Sequence, residues 1–137
     1  MARAADLSVA QLYPLLALRI EVFVIEQNCP YQELDGHDLD PDTRHLWIGS
    51  DEVPLAYLRL RRDAEAFRIG RVCVAAAARR RGLARRLMEA ALAEVGDTEC
   101  VLDAQTYATD LYAAFGFRPE GAEFLDDGVP HIRMRRR

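Results

Sequence analysis

The fold is decided by residues 67–95, which read FRIGRVCVAAAARRRGLARRLMEAALAEV. The first eight residues predict a β-strand whose apolar positions change face midway, so we expect a β-bulge at Gly70 or Arg71. The last thirteen residues carry apolar side chains at three- and four-residue spacing, which predicts an amphipathic helix ended by Gly96. An arginine-rich loop around Gly82 joins the two elements.

The segment before this unit predicts a helix, a loop and a hairpin. Apolar residues at helical spacing indicate a helix over residues 8–26, with Ser8 as its N-cap. Residues 28–43 contain prolines, a glycine and many acidic side chains, which indicates a loop with room for a second short helix. Residues 44–62 predict a β-hairpin with its turn around residues 50–52.

The segment after the unit predicts a short strand over residues 100–104, a short helix ending at Gly116 and a final strand pair around residues 126–128. The strand, helix, strand order in the middle of the chain predicts a parallel β-α-β unit. We therefore expect a single α/β domain over residues 1–137, with a mixed, mostly antiparallel sheet and helices on both faces.

The bulk properties exclude several classes of protein. The 137 residues carry a net charge of −4, whereas a nucleic-acid-binding domain usually has a basic excess. No apolar run is long enough to cross a bilayer and no signal peptide is visible, so we expect a cytoplasmic protein without a membrane partner. The three cysteines form no CxxC pair or Cys/His cluster, so we expect reduced thiols and no metal site.

The arginine-rich loop is a candidate phosphate site. Gly82 lies where a strand has ended and a helix begins, and the first-turn amides of a helix have no internal partner and carry partial positive charge. Such a helix end binds phosphate, and a glycine lets the backbone approach the ligand closely. Arg79, Gly82 and Ala84 fit the pattern Arg/Gln-x-x-Gly-x-Gly/Ala. A patch for nucleic acid is the alternative reading of the same arginines.

Together with its flanking strand and helix, this loop resembles that of the GNAT superfamily of N-acetyltransferases, in which the pyrophosphate of acetyl-coenzyme A rests on the loop. Residues 110–117, DLYAAFGF, resemble a later signature of that superfamily. Residues 22–47 and the segment DDGVPHIRM at 126–134 look like the ElaA-like subfamily. The resemblance covers residues 8–136. Members usually open with a β-strand, for which only residues 1–7 are available here, so we expect that strand to be short.

The resemblance implies acetyl-CoA as co-substrate and assigns residues to it. Val72, Cys73 and Val74 would pair with the pantetheine arm and polarise the thioester carbonyl through the backbone. Gln105 lies where many members carry a cofactor-contacting asparagine. The loop positions expected to hold the pyrophosphate are Arg79, Arg80, Arg81, Gly82, Leu83, Ala84 and Arg85.

The resemblance also implies a general acid. Tyr112 matches the tyrosine that faces the thioester sulfur, where a phenol can protonate the leaving thiolate; the alternative is a packed aromatic on an amphipathic helix. Cys73 could carry the acetyl group, but no activating base is evident and a buried thiol is favoured.

The general base is left open by the sequence. Glu33 and Asp35 lie in the acidic loop, which would border the acceptor and favour a cationic amine, although a solvated loop is an equal alternative. Histidines at strand positions are more often structural than catalytic. The candidate bases are Glu26, Glu33, Asp35, His45 and His131.

The leading prediction is an enzyme that moves an acetyl group from acetyl-CoA to a primary amine by direct attack. The acceptor would be a small molecule or a peptide, no metal or nucleic acid would take part, and a homodimer is possible. Three alternatives stay open: a non-catalytic acyl-CoA-binding module, a nucleic-acid-binding protein, and a transferase for longer acyl chains like the related acyl-homoserine lactone synthases.

Overall fold

The structure, a computed structural model, describes residues 1–137 and contains one seven-stranded sheet and three α-helices. The strands are β1 (Ala2–Arg3), β2 (Arg44–Gly49), β3 (Pro54–Arg62), β4 (Phe67–Val74), β5 (Cys100–Gln105), β6 (Arg118–Asp126) and β7 (Val129–Arg136). The helices are α1 (Val9–Ile20), α2 (Leu83–Val95) and α3 (Thr109–Ala113).

The strand order in the sheet is β1-β2-β3-β4-β5-β7-β6. Only the β4–β5 pair is parallel, and α2 forms the crossover between these two strands. The other neighbours pair antiparallel, which confirms the predicted mixed, mostly antiparallel sheet. The N-terminal strand is formed but short, because only Ala2 and Arg3 pair with β2.

Helices cover both faces of the sheet, as predicted. The larger core cluster packs beneath α2 and α3, whereas a smaller cluster joins α1 to Tyr57 and Cys73 on the opposite face. None of the three helices combines the length and the apolar character that crossing a membrane requires.

The first helix differs from its prediction as one continuous α-helix over residues 8–26. Ser8 is the N-cap and forms a capping box with Gln11, but the α-helical pattern ends at Ile20 and residues Glu21–Glu26 form a π-helix. A π-turn inserts one residue per turn, which the apolar spacing of the sequence does not reveal. Residues 28–43 contain no second helix.

The predicted bulge in β4 is confirmed. Cys73 pairs with Tyr57 and Gly70 pairs with Arg59, so β4 has one more residue than β3 between these pairs. Arg71 lies in the bulge with a left-handed φ of 55°. Because the extra residue reverses the alternation of side chains, Val72 returns to the α2 face of the sheet.

The sheet opens between β4 and β5 after the first two residues of β4. Strands β4 and β5 pair only at Phe67 with Cys100 and at Arg68 with Val101, and then separate. The backbone of β4 from Ile69 onward therefore faces an opening where a parallel neighbour would otherwise lie. This separation produces a cleft between the two strands.

Candidate active site

The cleft between the separated strands has a volume of about 560 Å³. Its walls come from the π-helix after α1, from β4 and β5, from α3 and from the β6–β7 turn. Residues from distant parts of the sequence therefore meet in one space, including Phe23, Val72, Gln105, Tyr112 and His131.

The arginine-rich loop lies at one end of this cleft. Gly82 is the N-cap of α2 with a φ of 72°, and no side chain caps the helix. Arg80 also has a left-handed φ, of 66°. The first-turn amides of α2 are thus free of side-chain acceptors, as a phosphate cradle requires. Leu83 is buried in the core, so only its backbone can take part in such a cradle.

Arg79 connects the loop to the rest of the cleft. Its Nε donates to the carbonyl oxygen of Val74 at 3.1 Å, and its Nη2 donates to Oε2 of Glu26 at 2.5 Å. Glu26, one of the candidate bases, is therefore engaged by a guanidinium group. The other loop arginines are exposed; Arg81 bonds the Ala77 carbonyl oxygen and Arg85 lies over the ring of Phe115.

Tyr112 lies on α3, lines the cleft and has 8% of its surface exposed. Its ring packs edge-on against Phe117, with the ring centroids 6.4 Å apart. Burial raises the pKa of the Tyr112 phenol well above its usual range. The hydroxyl therefore keeps its proton at neutral pH and is present as a hydrogen-bond donor.

Cys73 is buried beneath α1, and burial raises the pKa of its thiol to about 12. A thiol in this state is a poor nucleophile at neutral pH, which argues against an acetyl-cysteine intermediate. The position nevertheless places the backbone of Cys73 on the cleft wall between Val72 and Val74.

The acidic loop is neutralised by arginines. We name Arg19, Arg59, Arg71, Glu33, Asp35 and Asp38 the buried ion network. Glu33 accepts from Arg19 Nε at 2.8 Å, from Arg71 Nε at 2.7 Å and from the Tyr31 hydroxyl. It is buried and does not line the cleft. Its position and partners give no support to the prediction that it is a base.

Asp35 reaches the cleft but is held in the same network. Arg59 Nη2 donates to its Oδ2 at 2.6 Å, and Arg71 Nη2 lies 3.3 Å from the same oxygen. Burial alone would raise its pKa, but the hydrogen bond and charge of Arg59 hold the pKa of Asp35 well below its usual range. A carboxylate in that state is a weak proton acceptor.

His45 is fully buried and lies outside the cleft. Its Nε2 is 3.0 Å from the carbonyl oxygen of Asp38 and its Nδ1 is 2.6 Å from the hydroxyl of Tyr57. The carbonyl can only accept, so Nε2 carries the proton and Nδ1 accepts from Tyr57. Burial also lowers the pKa of His45. This location does not support the prediction of His45 as a base.

His131, in contrast, lines the cleft. Its Nδ1 lies 2.7 Å from the carbonyl oxygen of Val129 and must donate to it. In the neutral ring the lone pair is therefore on Nε2, which has no protein partner. The ring stacks on Phe124, with the centroids 5.9 Å apart. Of the five candidate bases, His131 is the one on the cleft wall that no arginine engages.

Two features of the cleft lie in segments expected to border the acceptor, residues 26–45 and 124–131, but involve residues to which the sequence assigned no role. Gln27, at the end of the π-helix, exchanges hydrogen bonds of 3.4 and 3.5 Å with Gln105 across the opening. The carboxylates of Asp126, the last residue of β6, and Asp127, in the turn that follows, line the cleft without a protein partner. The Asp-Asp-Gly turn was visible in the sequence, but its approach to the cleft depends on how β6 and β7 pair.

Comparisons with known proteins agree on one family. A model of the acetyltransferase (GNAT) domain matches residues 6–137. The chain is 42% identical to the protein ElaA of Escherichia coli (strain K12), over 96% of this chain and 91% of that protein. It is 52% identical to a UPF0039 protein of Mycobacterium tuberculosis, over 97% of this chain and 88% of the relative.

A solved structure shows the same architecture. The crystal structure of an acyl-CoA N-acyltransferase from Pseudomonas aeruginosa superposes with a TM-score of 0.91 at 46% identity, covering 99% of this chain and 97% of the other. Both the matching family model and this neighbour are named for acyl transfer. The chain belongs to the GNAT acetyltransferase family, in its ElaA-like branch.

Proposed function

We propose that the protein transfers an acetyl group from acetyl-CoA to a primary amine by direct attack on the thioester. The observation that supports this most is the convergence of three features on one cleft: the uncapped N-terminus of α2, the open backbone edge of β4 and the hydroxyl-bearing Tyr112. The free cysteines are in keeping with action in the reducing cytoplasm.

In this proposal the pyrophosphate of coenzyme A binds the backbone amides of residues 80–84, and the exposed arginines of the loop add charge-assisted hydrogen bonds. The pantetheine arm follows the open edge of β4 along Val72–Val74, and Gln105 contacts it from β5. A backbone N–H near the bulge receives the thioester carbonyl and stabilises the negative charge of the tetrahedral intermediate.

The reaction needs a side chain that accepts a proton from the amine and another that donates a proton to the leaving thiolate. The amine nitrogen attacks the carbonyl carbon, the C–N bond forms and the C–S bond of the thioester breaks. His131 Nε2 accepts the proton that the ammonium form of the amine loses before it attacks, because this atom has a lone pair and no protein partner. The second N–H proton leaves as the tetrahedral intermediate collapses and replaces the one that Tyr112 donates. Tyr112 donates its proton to the leaving thiolate. Asp126 and Asp127 attract the cationic amine to the cleft. This role was predicted for the acidic loop, but arginines already neutralise the Glu33 and Asp35 carboxylates of that loop.

The cofactor loop is tested by Gly82→Ala. An alanine at a φ of 72° is strained by about 1–2 kcal/mol, and the loop must shift to relieve it. We expect the Kd for coenzyme A, measured by calorimetry, to rise by about tenfold or more. Gly121→Ala is the matched control, because Gly121 has a φ of 82° and equally open space but lies on β6. Equal affinities in the two variants would contradict this placement.

The base is tested by His131→Gln. We expect kcat, measured as release of the free coenzyme A thiol with a panel of amines, to fall by about 100-fold. This is the low end of the range for general bases, since water can enter an open cleft and take over the proton. The affinity for acetyl-CoA should stay the same. His37→Gln is the control, since His37 pairs with Asp40 outside the cleft. Equal kcat values would remove His131 from the mechanism.

A further inference from the structure

A second charged cluster lies on the same face of the sheet as the cleft. Arg61 on β3 and Arg68 on β4 are direct cross-strand partners, and both line the cleft. Directly opposed like charges destabilise an antiparallel pair. We name Arg61, Arg68, Arg133 and Asp103 the arginine cluster.

The charges of the arginine cluster do not balance. Arg133 donates two hydrogen bonds to the carboxylate of Asp103, from Nε at 2.9 Å and from Nη2 at 3.3 Å. Arg68 reaches the same carboxylate at 3.5 Å, and Arg61 has no ion pair or hydrogen bond. Three guanidinium groups and one carboxylate leave an excess of two positive charges.

The nearby groups offset this excess only in part. The carboxylate of Asp63, which follows β3, is exposed, accepts from the backbone N–H groups of Glu65 and Ala66, and forms no ion pair with Arg61 or Arg68. Arg59, two residues before Arg61 on the same face, is 4% exposed and lines the cleft. Its Nε is buried without any acceptor. The unpaired Arg61 and the excess of positive charge on one wall of the cleft indicate a missing anionic partner.

Resting on the proposed acetyl transfer, we infer that the acceptor is a small amine that also carries an anionic group, a carboxylate or a phosphate. That group binds Arg61 and Arg68, whereas the amine lies toward His131 and the free carboxylates of Asp126 and Asp127. Arg68 lies three residues before the bulge at Arg71, which is roughly 10 Å along a strand. The cleft is therefore cationic at one end and anionic at the other, complementary to a zwitterion.

The test compares matched acceptors that differ in one charge. β-Alanine is paired with β-alaninamide, γ-aminobutyrate with its amide, and O-phosphoethanolamine with ethanolamine, and kcat/KM is measured from thiol release. We expect the wild-type enzyme to prefer the anionic member of at least one pair. The carboxylate and phosphate arms show which of the two anions the site takes.

Variants of the arginines then test which side chain causes the preference for anionic acceptors. Arg61→Ala is expected to lower kcat/KM for the anionic acceptor by about tenfold or more, through KM, and to leave its neutral partner unchanged. Arg61→Lys should restore part of the loss. Arg62→Ala is the control, because Arg62 lies outside the cleft over the ring of Phe67.

Three outcomes would overturn the inference: a wild-type preference for the neutral amines, an equal loss on both members of a pair in Arg61→Ala, or an enzyme that binds acetyl-CoA but accepts none of the anionic amines. Failure of the proposed function is distinguishable from these, because it would show as no thiol release with any amine of the panel, neutral or anionic, or as absent acetyl-CoA binding in calorimetry.

Discussion

Replacing Arg19 with methionine is expected to lower the free energy of unfolding by about 3–5 kcal/mol, measured by urea denaturation. Arg19 is fully buried and is bonded to Glu33 and Asp38, with its guanidinium 5.6 Å from the ring centre of Tyr57. Methionine fills most of the volume but leaves two carboxylates short of a partner. Removing one member of a buried ion network costs far more than the intact network contributes.

The control is Arg44→Met, which removes a half-exposed ion pair with Glu94 at 2.9 Å and should cost about 0–1 kcal/mol. Burial alone would raise the pKa of Asp38, but the hydrogen bond and charge of Arg19 lower it from 3.8. A carboxylate whose pKa is lower in the folded protein than in the unfolded chain stabilises the fold at any pH above the unfolded-state pKa. That stabilisation is lost as the pH falls through the folded-state pKa. The difference in the free energy of unfolding between Arg19→Met and wild type should therefore shrink only below about pH 4. Similar small losses in both variants would contradict the role of the network.

Tyr112→Phe is expected to lower kcat by about 10²–10⁴-fold while changing the affinity for acetyl-CoA little. Phenylalanine keeps the ring and its edge contact with Phe117, so the fold is retained and only the hydroxyl is lost. The measurement is steady-state thiol release combined with calorimetry of acetyl-CoA binding.

The matched control is Tyr13→Phe, on the exposed part of α1 away from the cleft, which should leave both quantities unchanged. A turnover number for Tyr112→Phe equal to that of wild type would leave Tyr112 as a packed aromatic only.

Most of the architecture follows from short-range patterns in the sequence. Strand alternation, helical spacing and the glycines at positions 82 and 96 mark the central unit. The slip in β4 predicts a bulge at Gly70 or Arg71, and the structure places it at Arg71. The π-helix at residues 21–26 is not visible in this way, because four consecutive apolar residues, Val22 to Ile25, fit either helical period.

The acceptor side of the cleft depends on long-range contacts that the sequence does not reveal. Glu33 is acidic and lies in a loop, yet it is buried because Arg19 and Arg71 reach it from α1 and β4. His45 and His131 both lie on strands, and only the pairing of those strands decides which ring enters the core and which faces the cleft. The loop around Gly82 was predictable because its signal is local.

The central claim is that the amides at the start of α2 hold the diphosphate and thereby place the thioester next to Tyr112. The most direct measurement is a crystal structure of the protein with bound acetyl-CoA. The account predicts pyrophosphate oxygens within hydrogen-bonding distance of the backbone nitrogens of residues 80–84 and the thioester sulfur beside the Tyr112 hydroxyl. A cofactor bound away from this loop, or a thioester pointing out of the cleft, would contradict it.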